Sequence, residues 1–335
     1  MTFGAAITDA EGLRLTPEEK KLFRQKNPFG FILFARNIDT ADQVRALCDD
    51  FREAVGRNCP ITIDQEGGRV QRLRAPLARE WMPPLNHAER AGDQAERAMY
   101  LRYRLIANEL FGLGIDSNCA PMVDLARDET HPFLRNRCYG SDPKAVSATG
   151  RAVAKGHLDG GVLPVIKHIP GHGRATQDSH LELPHVDLVQ DELEQVDFAP
   201  FKALNDLPMG MTAHLVYDRI DPRPATISHT MINLIREEFG FDGLIMTDDI
   251  SMKALSGAPE EIALQALNAG CDVVLHCNGS FEARAKVLDA AGEMTEQAQK
   301  RAERALAMRR KPAELDIPAA EAELSRLMGG QVYER

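Results

Sequence analysis

Short apolar runs alternate with stretches of helical periodicity from one end of the chain to the other. The candidate strands lie at residues 3–7, 30–34, 61–63, 115–122, 163–166, 210–213, 244–246 and 273–275, and apart from 115–122 they are mostly apolar. Strands covered on both faces read this way, because neither side turns to water. Between the runs lie helix signals. Thr16-Pro17-Glu18-Glu19 combines an N-cap, a proline in the first turn and a capping-box glutamate. Val44, Leu47, Phe51 and Val55 follow helical spacing, as do Met99, Tyr103, Ile106 and Leu110, so each set lays one apolar stripe toward a core. Asp142-Pro143 opens another helix, a pattern at 231–239 ends at Gly240, and further helices are predicted at 281–294 and 295–308. Eight strand-helix units with no Pro/Gly/Ser-rich linker predict an α/β fold, a single (β/α)8 TIM-type barrel over residues 1–335, with helices from about residue 281 packing on it.

Active sites on such a barrel gather at the carboxyl ends of the strands. The residues there are Asp64, Asp124, Lys167, His168, His214, Asp248, Asp249 and His276, and the fold would turn them to one mouth. The structural alternative is that Asp124 and Asp249 cap the following helices and that His276 is a satisfied histidine of the rim. The densest chemistry lies in V-I-K-H-I-P-G-H-G-R-A-T-Q-D-S-H-L-E-L-P-H-V, residues 165–186, where a strand breaks into a Pro-Gly turn. Asp178 and His180 stand two residues apart, so in extended chain both leave on one face and the carboxylate can hold the imidazole. Lys167, His168 and His172 crowd the same stretch, and loops carry chemistry when a rigid strand positions them.

Composition narrows the classes. A formal charge of -10 argues against a nucleic-acid surface, and the basic run at 300–311 reads as the solvated face of a helix. No stretch approaches a membrane span, and the N-terminus lacks a basic start, a long apolar segment and a cleavage site, so a cytoplasmic protein is expected. The six cysteines include no C-x-x-C pair and read as reduced residues, not as a disulfide or zinc framework. No leftover apolar stripe calls for a partner, so the expected state is a monomer.

Carboxylates with a carboxylate-steered histidine suit substitution at an acetal carbon. Retaining glycosidases need a carboxylate to attack the anomeric carbon and a proton donor for the leaving oxygen. Histidine can be that donor because its ordinary pKa is about 6.5. Asp178 would orient the ring and stabilise the imidazolium. This chemistry needs no metal and no cofactor.

The runs K-H-I-P-G-H-G with D-S-H, I-D-Q-E-G-G-R-V-Q-R and T-D-D-I-S-M resemble those of the bacterial β-N-acetylglucosaminidases of glycoside hydrolase family 3, single-domain enzymes of peptidoglycan recycling. Order and spacing match over roughly residues 29–275. The resemblance implies that Asp248 is the nucleophile of a retaining exo-hydrolase and that His180 is a mobile general acid/base with Asp178 as its partner. It implies that Asp64, Arg72, Arg137, Lys167 and His168 grip the sugar. In R-N-R-C-Y-G, Arg137 is preferred to Arg135 because it directly precedes the small-aromatic-Gly pattern. Ile169 stands where the family usually has phenylalanine, a change of apolar shape only. Broader relatives take a glutamate from a second domain, whereas only about sixty residues follow the last predicted strand here, which leaves His180 as the available group. The substrate so implied is a small carbohydrate, a muropeptide bearing terminal N-acetylglucosamine. Two other classes stand beside it: a metal-dependent barrel hydrolase in which His168, His172, His180 and an aspartate bind zinc, and a non-catalytic carbohydrate-binding barrel.

Overall fold

A computed structural model describes residues 2–177 and 182–333. Among the described residues, parallel strands form the expected (β/α)8 barrel, each pairing with the next in chain order. They are β1 (Gly4–Thr8), β2 (Pro28–Leu33), β3 (Ile61–Ile63), β4 (Ser117–Asn118), β5 (Leu163–Ile169), β6 (Met209–Thr212), β7 (Leu244–Asp249) and β8 (Val273–Leu275). The ring closes between first and last, with Ala6 opposite Val274 and Ile7 opposite Leu275.

All eight predicted strands are present; the fourth, fifth and seventh end three or more residues from the expected position, each for a chemical reason. The fourth is cut to Ser117–Asn118 because Pro121 has no N–H for the ladder. Its carbonyl still accepts from Lys167 N–H at 3.0 Å. The fifth runs on through Lys167, His168 and Ile169, and the seventh through Asp248 and Asp249. Hydropathy ended both too early, because Lys167 and His168 in one and Asp248 and Asp249 in the other are charged or polar yet remain within the strands.

The labelled helices are α1 (Pro17–Lys26), α2 (Ala41–Val55), α3 (Ala95–Gly112), α4 (Pro143–Asp159), α5 (Pro259–Ala269), α6 (Phe281–Ala291), α7 (Glu296–Ala307) and α8 (Ile317–Leu327). The capping box of α1 is formed in both directions, Glu19 N–H to Thr16 Oγ1 at 3.1 Å and Thr16 N–H to Glu19 Oε2 at 2.9 Å. The predicted stripes of α2 and α3 are buried at every position named above. The segment expected as one helix at 231–239 is a short helix, His229–Asn233, continued by a π-wound turn, Leu234–Glu238.

Toward the C-terminus, α6 packs on α5, α1 and β1, α7 on β7, and α8 on α3. The basic run at 300–311 is not simply solvated. Arg301 lies 3.0 Å from Asp272, Arg304 2.7 Å from Asp242 and Arg309 2.8 Å from Asp116. Those aspartates precede β8, β7 and β4, so the run stitches the amino-terminal face of the barrel, the face that serves stability in this architecture.

Candidate active site

At the opposite face, the strand ends surround a pocket of about 270 Å³. Its polar lining includes Asp64, Arg72, Arg137, Lys167, His168 and Asp248. Lys167 and His168 come from the end of β5, and Asp248 from the end of β7. Asp64 follows β3, and the hairpin beyond it, Gln65–Gly67 against Val70–Gln71, brings Arg72 back over the mouth. A short helical turn, Pro132–Arg135, precedes Arg137. No single strand supplies this lining; the closure of the barrel assembles it.

A buried charge network fixes the floor. Lys167 Nζ lies 2.5 Å from Glu66 and 3.0 Å from Asp64. Arg137 forks onto both oxygens of Glu66 at 2.9 and 2.8 Å, the bidentate geometry that fits guanidinium to carboxylate. Arg72 reaches Asp64 at 3.0 Å. Burial alone would raise the Glu66 carboxyl, yet Arg137 and Lys167 bring it down to about 2. Burial works against Asp64 in the same way, and Lys167 and Arg72 hold it well below the usual carboxylate range. Burial would favour neutral Lys167, but Glu66 and Asp64 keep it firmly cationic. These groups therefore stay ionised at neutral pH, with fixed donors and acceptors facing the pocket.

His168 is set from behind. Its Nδ1 lies 2.7 Å from Asp124 Oδ2, and because a carboxylate only accepts, that nitrogen carries the proton. Asp124 also accepts the backbone N–H of His168 at 3.2 Å and of His172 at 2.5 Å. Burial opposes the charge on Asp124, but His168 keeps it below the usual range. The ring of His172 stands edge-on to His168 at 5.6 Å, and burial beside that ring pushes it down to about 4.

Asp248 differs from the other carboxylates. Its Oδ1 accepts the N–H of Asp249 at 2.8 Å, and among the described residues no cation forms an ion pair with it. Burial pushes its carboxyl up, while the neighbouring His214 and His168 more than offset this and hold it below the usual carboxylate range. It is an ionised, partly exposed carboxylate at the wall of a cation-rich pocket.

Several expectations need correcting. Asp124 is not a helix cap; it orients His168. Asp249 caps no helix either, and instead accepts from Ser251 N–H at 3.0 Å and Ser251 Oγ at 2.8 Å. His276 is buried, and its Nδ1 has no hydrogen-bond partner among the described residues. Arg135 sits on the surface near Asp128 at 3.7 Å, whereas Arg137 lines the pocket. Asp178 and His180 lie outside the described residues. Glu66, the hub of the network, was not singled out from the sequence. Its position two residues beyond Asp64 was the available signal, since alternate residues of an extended chain share a face. For the metal-dependent alternative, no group of three or more His, Cys, Asp or Glu side chains placed to hold a metal occurs among the described residues.

Residues 7–308 match the family model described as glycosyl hydrolase family 3 N terminal domain. A "Beta-hexosaminidase" of Alkalilimnicola ehrlichii is 39% identical over 285 residues, covering 83% of this chain and 82% of that protein. One from Tolumonas auensis is 36% identical over 283 residues, covering 82% of this chain and 83% of its own. Among solved structures, NagZ from Neisseria gonorrhoeae in complex with N-trifluoroacetyl-D-glucosamine superposes with a TM-score of 0.80 at 29% identity. That match covers 98% of this chain and 99% of the other.

Proposed function

Because the chain belongs to glycosyl hydrolase family 3, and is a glycoside hydrolase of the β-hexosaminidase type, we propose that it removes terminal β-linked N-acetylglucosamine from muropeptides by a retaining double displacement. The carrying observation is the contrast between Asp248, without an ion pair among the described residues, and the paired carboxylates Asp64 and Glu66 in the same site. A nucleophile must be ionised and uncommitted; a sugar-holding carboxylate must be fixed. The pocket, about 270 Å³, falls below the roughly 300–1,000 Å³ of sites for drug-sized ligands, which suits one terminal sugar and so exo action.

In this reading, Asp64, Arg72, Arg137, Lys167 and His168 hold the sugar hydroxyls. Asp248 attacks the anomeric carbon as the bond to the aglycone oxygen breaks, and His180, charged and oriented by Asp178, gives that oxygen its proton. Water then attacks the glycosyl ester, His180 takes back a proton, and Asp248 leaves as a carboxylate. We take residues 1–335 as one catalytic unit acting as a monomer. The six cysteines are buried and free, which accords with the reducing cytoplasm, and among the described residues no helix is long and apolar enough to cross a membrane.

The test is trapping with a 5-fluoro N-acetylglucosaminyl donor followed by peptide mapping. The label is expected on Asp248, and Asp248→Asn should lose turnover of an aryl N-acetylglucosaminide while remaining folded. A label on another carboxylate, or ordinary turnover by the variant, overturns the assignment.

A further inference from the structure

His214 follows β6 and is 1% exposed, and the proposed chemistry gives it no task. Its Nε2 lies 3.0 Å from the carbonyl oxygen of Asp249. Its Nδ1 lies 2.7 Å from Thr226 Oγ1, which in turn lies 2.8 Å from Thr212 Oγ1. A carbonyl only accepts, so Nε2 carries a proton. Burial lowers the His214 pKa by more than the nearby Asp248 carboxylate raises it, and in the neutral ring Nδ1 is bare. A bare Nδ1 must accept from the Thr226 hydroxyl, and Thr226 must then accept from Thr212. Each donor is committed in one direction, from Thr212 to Thr226, from Thr226 to the ring, and from the ring to the end of β7. Thr226 Oγ1 also lies 3.1 Å from Ala213 O, a longer contact left over once its single proton is given to the ring.

The residue held by this relay is the one that holds Asp248. Asp249 donates its backbone N–H to Asp248 Oδ1 at 2.8 Å, and its side chain is tied to Ser251 and to the N–H of Cys277 at 3.3 Å. The peptide groups on both sides of Asp249 are therefore fixed, and one oxygen of Asp248 is pinned by the backbone.

We propose that His214 is a positioning residue for the nucleophile, a neutral imidazole locked as its Nε2–H tautomer by Thr226 and Thr212, which fixes the end of β7 and with it the rotation of the Asp248 carboxylate. The proposal rests on the reading of Asp248 as nucleophile. Its effect falls on the attack geometry and not on sugar binding, because none of Thr212, His214 and Thr226 lines the pocket.

The experiment compares kcat and KM of the full chain for an aryl N-acetylglucosaminide in His214→Phe, His214→Gln and Thr226→Val, with Asp248→Asn alongside. Phenylalanine fills the ring volume without a donor, whereas glutamine places an amide N–H near the position of Nε2–H. Losing one hydrogen bond that aligns the reacting group should lower kcat of His214→Phe about tenfold, with KM within about twofold. Glutamine should restore most of kcat, and Thr226→Val should fall between. Wild-type kcat in both His214→Phe and Thr226→Val overturns the proposal, as does a loss that glutamine leaves unrestored in folded protein. If His214→Phe does not fold, the kcat of His214→Gln and Thr226→Val decides in the same sense. Turnover by Asp248→Asn would instead overturn the nucleophile assignment, whatever the His214 variants do.

Discussion

Replacing Glu66 by glutamine tests the charge network directly. The side chain keeps its size and loses its charge, so Arg137 loses its bidentate carboxylate and Lys167 keeps only Asp64. Removing one member of a buried ion pair costs about 3–5 kcal/mol, because the remaining charges are left uncompensated. Linkage gives an independent figure. The Glu66 carboxyl moves from its ordinary 4.5 to about 2 on folding, and at roughly 1.4 kcal/mol per pKa unit this is worth about 3 kcal/mol. Glu66 is 1% exposed, so solvent does not screen the contribution away. The two figures agree, and the loss is a large share of a typical total stability of about 5–15 kcal/mol. The direction with pH follows from proton counts: between the two pKa values the unfolded chain binds more protons, so this stability is fully present above the unfolded value and is lost as pH falls toward the folded one. Urea unfolding of both proteins, stepped from about pH 7 down to about pH 3, should show a gap of about 3 kcal/mol that narrows on acidification. A gap below about 1 kcal/mol near neutrality, or one that does not change with pH, refutes the reasoning.

Asp124→Asn exchanges a charge-assisted contact for a neutral one and places an amide against Nδ1 of His168, so kcat/KM for an aryl N-acetylglucosaminide should fall about 10–100-fold in steady-state assays. Gly67→Ala puts a methyl at φ +110°, 2.0 Å from Arg102 Nη2 and 2.9 Å from Met82 O, so urea unfolding should show a loss above about 2 kcal/mol. Arg301→Met on the stability face should cost about 1 kcal/mol or less, because Asp272 keeps Arg236 at 2.5 Å, and kcat should not change. Activity should survive exhaustive dialysis against a chelator; loss restored by added zinc would favour the metal-dependent class.

Barrel and helices were legible because strands buried on both faces leave continuous apolar runs, and because caps such as Thr16 and Glu19 are chemically distinctive. Strand ends were not, since Lys167, His168, Asp248 and Asp249 are polar for reasons of the site while still obeying the ladder. The pocket residues at those ends were legible from the barrel rule. Their supports were not: Glu66 lies in a hairpin whose path is not written in hydropathy, and Asp124 looks like any strand-end aspartate until His168 stands beside it. The tie between Arg301 and Asp272 joins residues far apart in sequence, which no local pattern reports.

The seam between Ala6 and Val274 has a consequence for biosynthesis. The first barrel strand leaves the ribosome well before its closing neighbour and waits for it while residues 9–272 are made. At about 5–20 residues per second, that wait lasts on the order of tens of seconds. Throughout it, the unfinished cylinder presents open edges whose backbone groups can pair with another chain. A prematurely ended product lacking residues 273–275 would keep those edges permanently, and should be recovered as aggregate while the full-length protein is not.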